Sequence, residues 1–162
     1  MASVLMFAPD DRGYVARLEG RGTMKESPAL RGFVRGVLDF EQNAEVVLDL
    51  SMCEYLDSTF QGCLIGLHES FSCERFTIAG PPETIAKLFG PTHIEQLFTV
   101  RCEPLHCQGE WCPLPVAPLS RMELGQHLVE CHRRLAEAGG PEAKTFSRIA
   151  DQLDLELGNK AG

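Results

Sequence analysis

Val46-Val47-Leu48-Asp49-Leu50-Ser51-Met52-Cys53-Glu54-Tyr55-Leu56-Asp57-Ser58-Thr59-Phe60-Gln61-Gly62 is the stretch on which the reading of this chain turns. It opens with an apolar run, Val46 to Leu50, broken by one carboxylate, Asp49. That pattern predicts a central strand covered on both faces. A short turn follows and ends in Asp57-Ser58-Thr59. From there Phe60, Cys63, Leu64, Leu67 and Phe71 recur on one helical stripe, so a helix starts at Ser58. A hydroxyl at the mouth of a helix, with a carboxylate beside it, suits a phosphorylation switch better than a catalytic nucleophile. No base or metal motif stands near it in sequence. His68 shares the predicted helix, but ten residues of helix span about 15 Å, too far for a nucleophile–base pair. The chain also lacks a Gly-rich phosphate loop and a G-x-S-x-G elbow.

Working outward, residues 3–8 read as a strand, Pro9 to Gly13 as a turn, and Tyr14 to Gly20 as an alternating, half-buried strand. The two form an antiparallel hairpin. Ser27-Pro28 opens a helix, with Ser27 as cap, carrying Leu30, Phe33, Val34, Val37 and Leu38 and ending at Asn43. After the central helix, Arg75 to Gly80 reads as a strand and Pro81-Pro82-Glu83 as a helix entry. Phe98 to Cys102 reads as a last strand. The order is β-β-α-β-α-β-α-β, an α/β domain with helices crossing a mixed sheet. Residues 103–119 hold four prolines and no period, and read as a loop. Helices return at 121–138, with Leu124, Leu128, Cys131 and Leu135 on one face, and after Gly139-Gly140-Pro141, with Phe146, Ile149, Leu153 and Leu157. The expected division is a domain over 1–138 and a C-terminal helical extension over 139–162.

The 162 residues suffice for one core without disulfide staples. Fifteen basic against 23 acidic residues give a net charge of -8, which argues against nucleic acid and anionic membrane surfaces as partners. No run reaches the roughly 20 apolar residues of a membrane span, and Val4 to Ala8 is too short for a signal-peptide core. A cytoplasmic protein is expected. Seven cysteines, an odd set, are then read as free thiols.

The element order, with Leu48-Asp49-Leu50-Ser51 leading to Tyr55-Leu56-Asp57-Ser58-Thr59, resembles the STAS family of bacterial anti-sigma factor antagonists and of sulfate-transporter cytoplasmic domains. In that family the loop before the second helix commonly reads Asp-Ser-Ser/Thr-Gly-Leu-Gly/Ala. Asp57, Ser58, Thr59 and Gly62 match, while Phe60 and Gln61 stand where Gly and Leu are usual. The resemblance implies a STAS-like mixed sheet with packed helices and a non-enzymatic regulatory protein without a cofactor. It implies partner switching. The unphosphorylated protein captures a serine kinase that doubles as an anti-sigma factor, phosphorylation of Ser58 breaks the complex, and a PP2C-type phosphatase restores it. ATP belongs to the kinase.

Ser58 is therefore the expected phosphoacceptor, with Thr59 as a second hydroxyl beside it. Taken alone, a serine at a helix start is nearly always an N-cap. A phosphate there meets unpaired backbone N–H groups and a favourable dipole. Leu56, Asp57, Ser58, Thr59, Phe60, Gln61 and Gly62 form the expected docking loop. Asp49 is read as a hydrogen-bonding residue near a strand end. Phe60 has two readings, a partner contact or a core aromatic.

Two alternatives stand beside this one. Cys102, His106, Cys107, Cys112 and Cys131 offer zinc-type donors for a metal- or thiol-redox sensor, with His127 one turn from Cys131. Close CxxC pairs are absent, and Cys131 lies on an apolar stripe with Cys53, Cys63 and Cys73 read as buried thiols. The other alternative is a STAS-type scaffold that binds without any covalent switch.

Overall fold

The apolar run forms β3 (Glu45–Asp49), with Val46 and Leu48 fully buried toward the helices. The computed structural model describes residues 3–161 other than Cys73, Pro104 and His106, and excludes the side chains of Pro91 and residues 159–161. Around β3 stand β1 (Val4–Pro9), β2 (Gly13–Gly22), β4 (Cys53–Leu56), β5 (Phe76–Ala79), β6 (Val100–Arg101) and β7 (Cys112–Pro113). The helices are α1 (Ser27–Phe40), α2 (Ser58–Ser70), α3 (Pro82–Phe89), α4 (Arg121–Glu137) and α5 (Ala143–Ala161). The sheet runs β6-β5-β3-β2-β1-β7, with β4 pairing to the far end of β2. β2, β3, β5 and β6 are parallel neighbours, while β1 pairs antiparallel with β2 and β7. The expected α/β fold with a mixed sheet is what forms.

Several boundaries differ from the sequence reading. Ser27 does not cap α1; it is the first helical residue, after Glu26. The entry is held instead by Glu26, whose Oε1 accepts from the Thr23 backbone N–H and hydroxyl at 3.0 and 2.9 Å. The helix ends at Phe40, and Arg75 reaches its last carbonyls, Leu38 O at 2.7 Å and Glu41 O at 2.9 Å. β4 was hidden by its short mixed sequence, Cys-Glu-Tyr-Leu, which alternates neither in polarity nor in burial: its two ends are buried and its two middle residues exposed. β7 lies inside the stretch read as a loop.

Both faces of the sheet are covered, by different means. On one face α1 and α2 pack over Leu18, Val46, Leu48, Phe76 and Ile78. On the other, Ala8, Val15 and Val47 are buried although no helix is their partner in that core. The segment leading into β7 crosses this face. Gln108 N–H bonds to Pro9 O, Leu114 N–H bonds to Leu5 O, and Trp111 stacks over the Arg17 guanidinium at 4.2 Å. Arg17 in turn pairs with the buried carboxylate of Asp49 at 3.0 Å, and the other Asp49 oxygen accepts from Ser51 N–H. Asp49 thus has the strand-end hydrogen-bonding role expected of it.

α2 is enclosed almost all round, with Thr59 to Ile65 and Leu67 buried. α4 closes its last side. At Gly62 the α4 backbone comes so near that an added Cβ would overlap the Cys131 carbonyl. α5 then lies on α4, burying Phe146 and Ala150 and seating Leu157 against Gly125. Arg133 bridges the hairpin to Asp151 and Asp154 at 3.2 and 3.3 Å. Capping of α4 follows the box pattern, with Ser120 and Glu123 bonded reciprocally. Gly62→Ala should cost about 1–3 kcal/mol of stability, because α4 must shift to admit the methyl group. Gly66→Ala, one turn on with open space, should be neutral or gain up to about 1 kcal/mol. Urea unfolding of the two variants checks the pair.

Candidate functional site

The site begins where β4 ends. Asp57 N–H bonds to Gly22 O at 2.8 Å, which fixes the strand-to-helix corner on β2. The Asp57 carboxylate is the N-cap of α2: Oδ1 accepts from Phe60 N–H at 2.8 Å. Its Oδ2 accepts from Met24 N–H at 2.9 Å. One side chain therefore ties the helix start to the loop before α1. This leaves Ser58, the first helical residue, with its hydroxyl free of the capping role.

That hydroxyl has a different partner. Ser58 Oγ lies 3.1 Å from His132 Nε2, and His132 Nδ1 lies 2.7 Å from Leu128 O, one turn earlier on α4. A carbonyl only accepts, so Nδ1 carries the proton. In the neutral ring Nε2 is then the acceptor, and Ser58 donates to it. No histidine stands near Ser58 in sequence, and the imidazole that meets it comes from elsewhere in the chain. The base is not on its own helix but 74 residues away, on α4. His132 is 6% exposed, and the Phe146 ring of α5 stands beside it with centroids 6.1 Å apart.

A second hydroxyl–imidazole pair lies deeper. Ser27 Oγ is 2.8 Å from His127 Nε2, and the same nitrogen is 3.6 Å from Cys131 Sγ. Cys63 Sγ donates to Ser27 O at 3.6 Å. This buried cluster links the first turn of α1 to α2 and α4. Ser27, misassigned as a cap, is thus a helix-packing residue.

The expected docking loop is largely covered. Leu56 and Thr59 are buried, Phe60 is 0% exposed, and Gly62 lies under the Cys131 backbone. Gln61 is buried too, and its side chain donates to Leu56 O and accepts from the Thr92 hydroxyl. Phe60 is therefore a core aromatic and not a partner contact, and the Thr59 hydroxyl is shut away as a second acceptor. Asp57 and Ser58 remain half-buried. Near them, Met24 and Tyr55 are exposed large hydrophobic residues, with Arg21 stacked on Tyr55 at 4.4 Å. The accessible surface is thus the edge made by the β2–α1 loop and β4, together with Ser58 itself.

The described candidate metal ligands do not gather at one place. Cys131 is buried at the α2–α4 contact, whereas Cys102, Cys107 and Cys112 lie on the segment that crosses the sheet. His106 and Cys73 lie outside the described residues. Among the described residues no group of three or more His, Cys, Asp or Glu side chains is arranged to hold a metal ion. Burial pushes the Cys53 thiol up to about 11. The Cys131 thiol is pushed up as well, first by its hydrogen bond with the Cys63 thiol and then by burial. Both stay protonated at neutral pH and are poor nucleophiles. Iodoacetamide at pH 8 should therefore modify exposed Cys102 and Cys112 first, with Cys53, Cys63 and Cys131 reacting only after unfolding. Time-resolved peptide mass spectrometry reads the order.

No family model matches the chain, and no curated protein matches its sequence. Among solved structures, the chain is similar to an anti-sigma factor antagonist from Mycobacterium paratuberculosis. The TM-score is 0.52 at 21% identity, over 62% of this chain and 86% of that one. No helix among the described residues is long and apolar enough to cross a membrane. The chain has the STAS-like fold of an anti-sigma factor antagonist structure.

Proposed function

We propose that this chain is a phosphorylation-controlled regulatory binding protein of the anti-sigma factor antagonist type. The observation that carries the reading is the position of Ser58. Its hydroxyl stands at the first residue of α2, half-buried, beside an Asp57 carboxylate already committed to backbone amides. The likeness of fold to an anti-sigma factor antagonist supports the same reading.

In this scheme the unphosphorylated protein binds a serine kinase that is also an anti-sigma factor, and so frees the kinase's other client. The docking surface is the edge around Ser58, with Met24 and Tyr55 as apolar contacts. Phosphorylation adds roughly -1.5 to -2 charges at Ser58. The α2 N-terminus accepts that charge locally, so the fold holds while the docking edge becomes anionic. A PP2C-type phosphatase resets the switch. ATP stays with the kinase, the chain holds no cofactor of its own, and it turns over no substrate. The cytoplasm is where such a circuit runs.

Phosphopeptide mass spectrometry on protein from its native cell, covering residues 54–75, should find phosphate on Ser58. Binding to the anti-sigma-type serine kinases of that cell should be constitutive for Ser58→Ala. It should be at least about tenfold weaker for Ser58→Asp, a difference of about 1.4 kcal/mol. Isothermal titration calorimetry measures both. Wild-type affinity in both variants would end the switch reading, and a lack of phosphate across growth and stress conditions would assign the fold to a binding scaffold.

A further inference from the structure

Ser58 and His132 have a relation that a phosphoacceptor does not require. Most acceptor serines are bare hydroxyls, and the kinase supplies the base. Here the hydroxyl is already bonded to an imidazole nitrogen at 3.1 Å. The imidazole is oriented by a third group, the Leu128 carbonyl at 2.7 Å, which holds the tautomer that leaves Nε2 basic. Nucleophile, base and orienting group in hydrogen-bonded sequence are the arrangement that activates a serine. We propose that Ser58 and His132 form a nucleophile–base dyad, so that the phosphoryl acceptor carries its own general base.

The surroundings support this chemistry. His132 is held between α2 and α5, 6% exposed, so its ring does not swing away into solvent. The groups facing it are Ser58 from α2, the Phe146 ring from α5 and the Leu128 carbonyl of its own helix. Asp57, next to Ser58, turns both carboxylate oxygens to backbone amides of Phe60 and Met24. The thirteen-residue helix α2 begins at Ser58, so its dipole favours negative charge growing at the attacked phosphorus.

With a nucleoside triphosphate presented by the kinase, Ser58 Oγ attacks the γ-phosphorus. The new Oγ–P bond forms as the bond to the nucleoside diphosphate breaks, and the diphosphate leaves. The hydroxyl proton passes to His132 Nε2. The imidazolium keeps its Nδ1–H on Leu128 O and faces the new phosphate as a counter-ion until it loses the proton to water. This kinase step rests on the function proposed above, but the dyad itself does not. His132 belongs to α4, so the base is present only while the α4–α5 hairpin is docked on α2.

A kinase-free probe tests the dyad. An alkyl fluorophosphonate reacts with activated serines: Oγ–P forms, P–F breaks, fluoride leaves, and the proton goes to the base. The full-length protein should be labelled once, at Ser58, and Ser58→Ala should not be labelled. His132→Gln should slow labelling at least about 100-fold, the usual contribution of a general base. Its folding is verified by circular dichroism. A folded wild type that resists labelling at Ser58 would overturn the dyad. So would an unchanged rate in folded His132→Gln. Labelling at Ser58 without phosphate in cells would keep the dyad and remove the kinase switch. Phosphate in cells without labelling would keep the switch and return the base to the kinase.

Discussion

The close approach of the α4 backbone to α2 at Gly62 is the constraint on which the rest depends. Only a residue without a Cβ lets the Cys131 carbonyl sit there. That contact places Cys131 and His127 against Cys63 and Ser27, and puts His132 one residue further along at the mouth of α2. Move α4 outward by the thickness of a methyl group, and both hydroxyl–imidazole pairs lengthen together. The apolar filling of α2 is part of the same arrangement. Phe60, Leu64 and Ile65 are buried because α2 is covered over most of its length by its neighbours, α1 and α4 among them.

The corner at Asp57 solves a separate problem. A helix start leaves backbone N–H groups without partners, and a strand must turn sharply to reach it. Asp57 serves as cap and as tether, with one oxygen for Phe60 and the other for Met24. Because the aspartate does the capping, the serine after it is released for other bonds. The division of labour between adjacent polar residues explains how a hydroxyl at a helix mouth is left out of the capping bonds.

On the far side of the sheet, a proline-rich segment does the work of a helix layer. It has no period that sequence inspection can detect: Trp111 lies over Arg17, while Leu114 and Gln108 bond through their backbone N–H groups to Leu5 and Pro9 on the β1 edge. The Arg17–Asp49 pair beneath it neutralises a carboxylate that interrupts an otherwise apolar strand. An unpaired charge at that depth would be strongly unfavourable, so strand and covering segment stabilise one another.

The sequence by itself determined what local pattern can carry. The apolar run at Val46 to Leu50, the stripe from Phe60 to Phe71 and the turn residues between strands marked the α/β order, and Asp57-Ser58-Thr59 marked the corner. Short pairings escaped it, because β4 and β7 are strands only by virtue of the neighbours β2 and β1 supply. Residue exposure on the loop escaped it as well: Gly62 is covered by α4, Gln61 is held by Leu56 and Thr92, and Phe60 lies against β2 near Gly22. The pairing of Ser58 with His132 was decided by tertiary structure alone. Two residues separated by 74 positions leave no mark on each other's local sequence, and only the packing of one helix on another brings a hydroxyl within reach of a base.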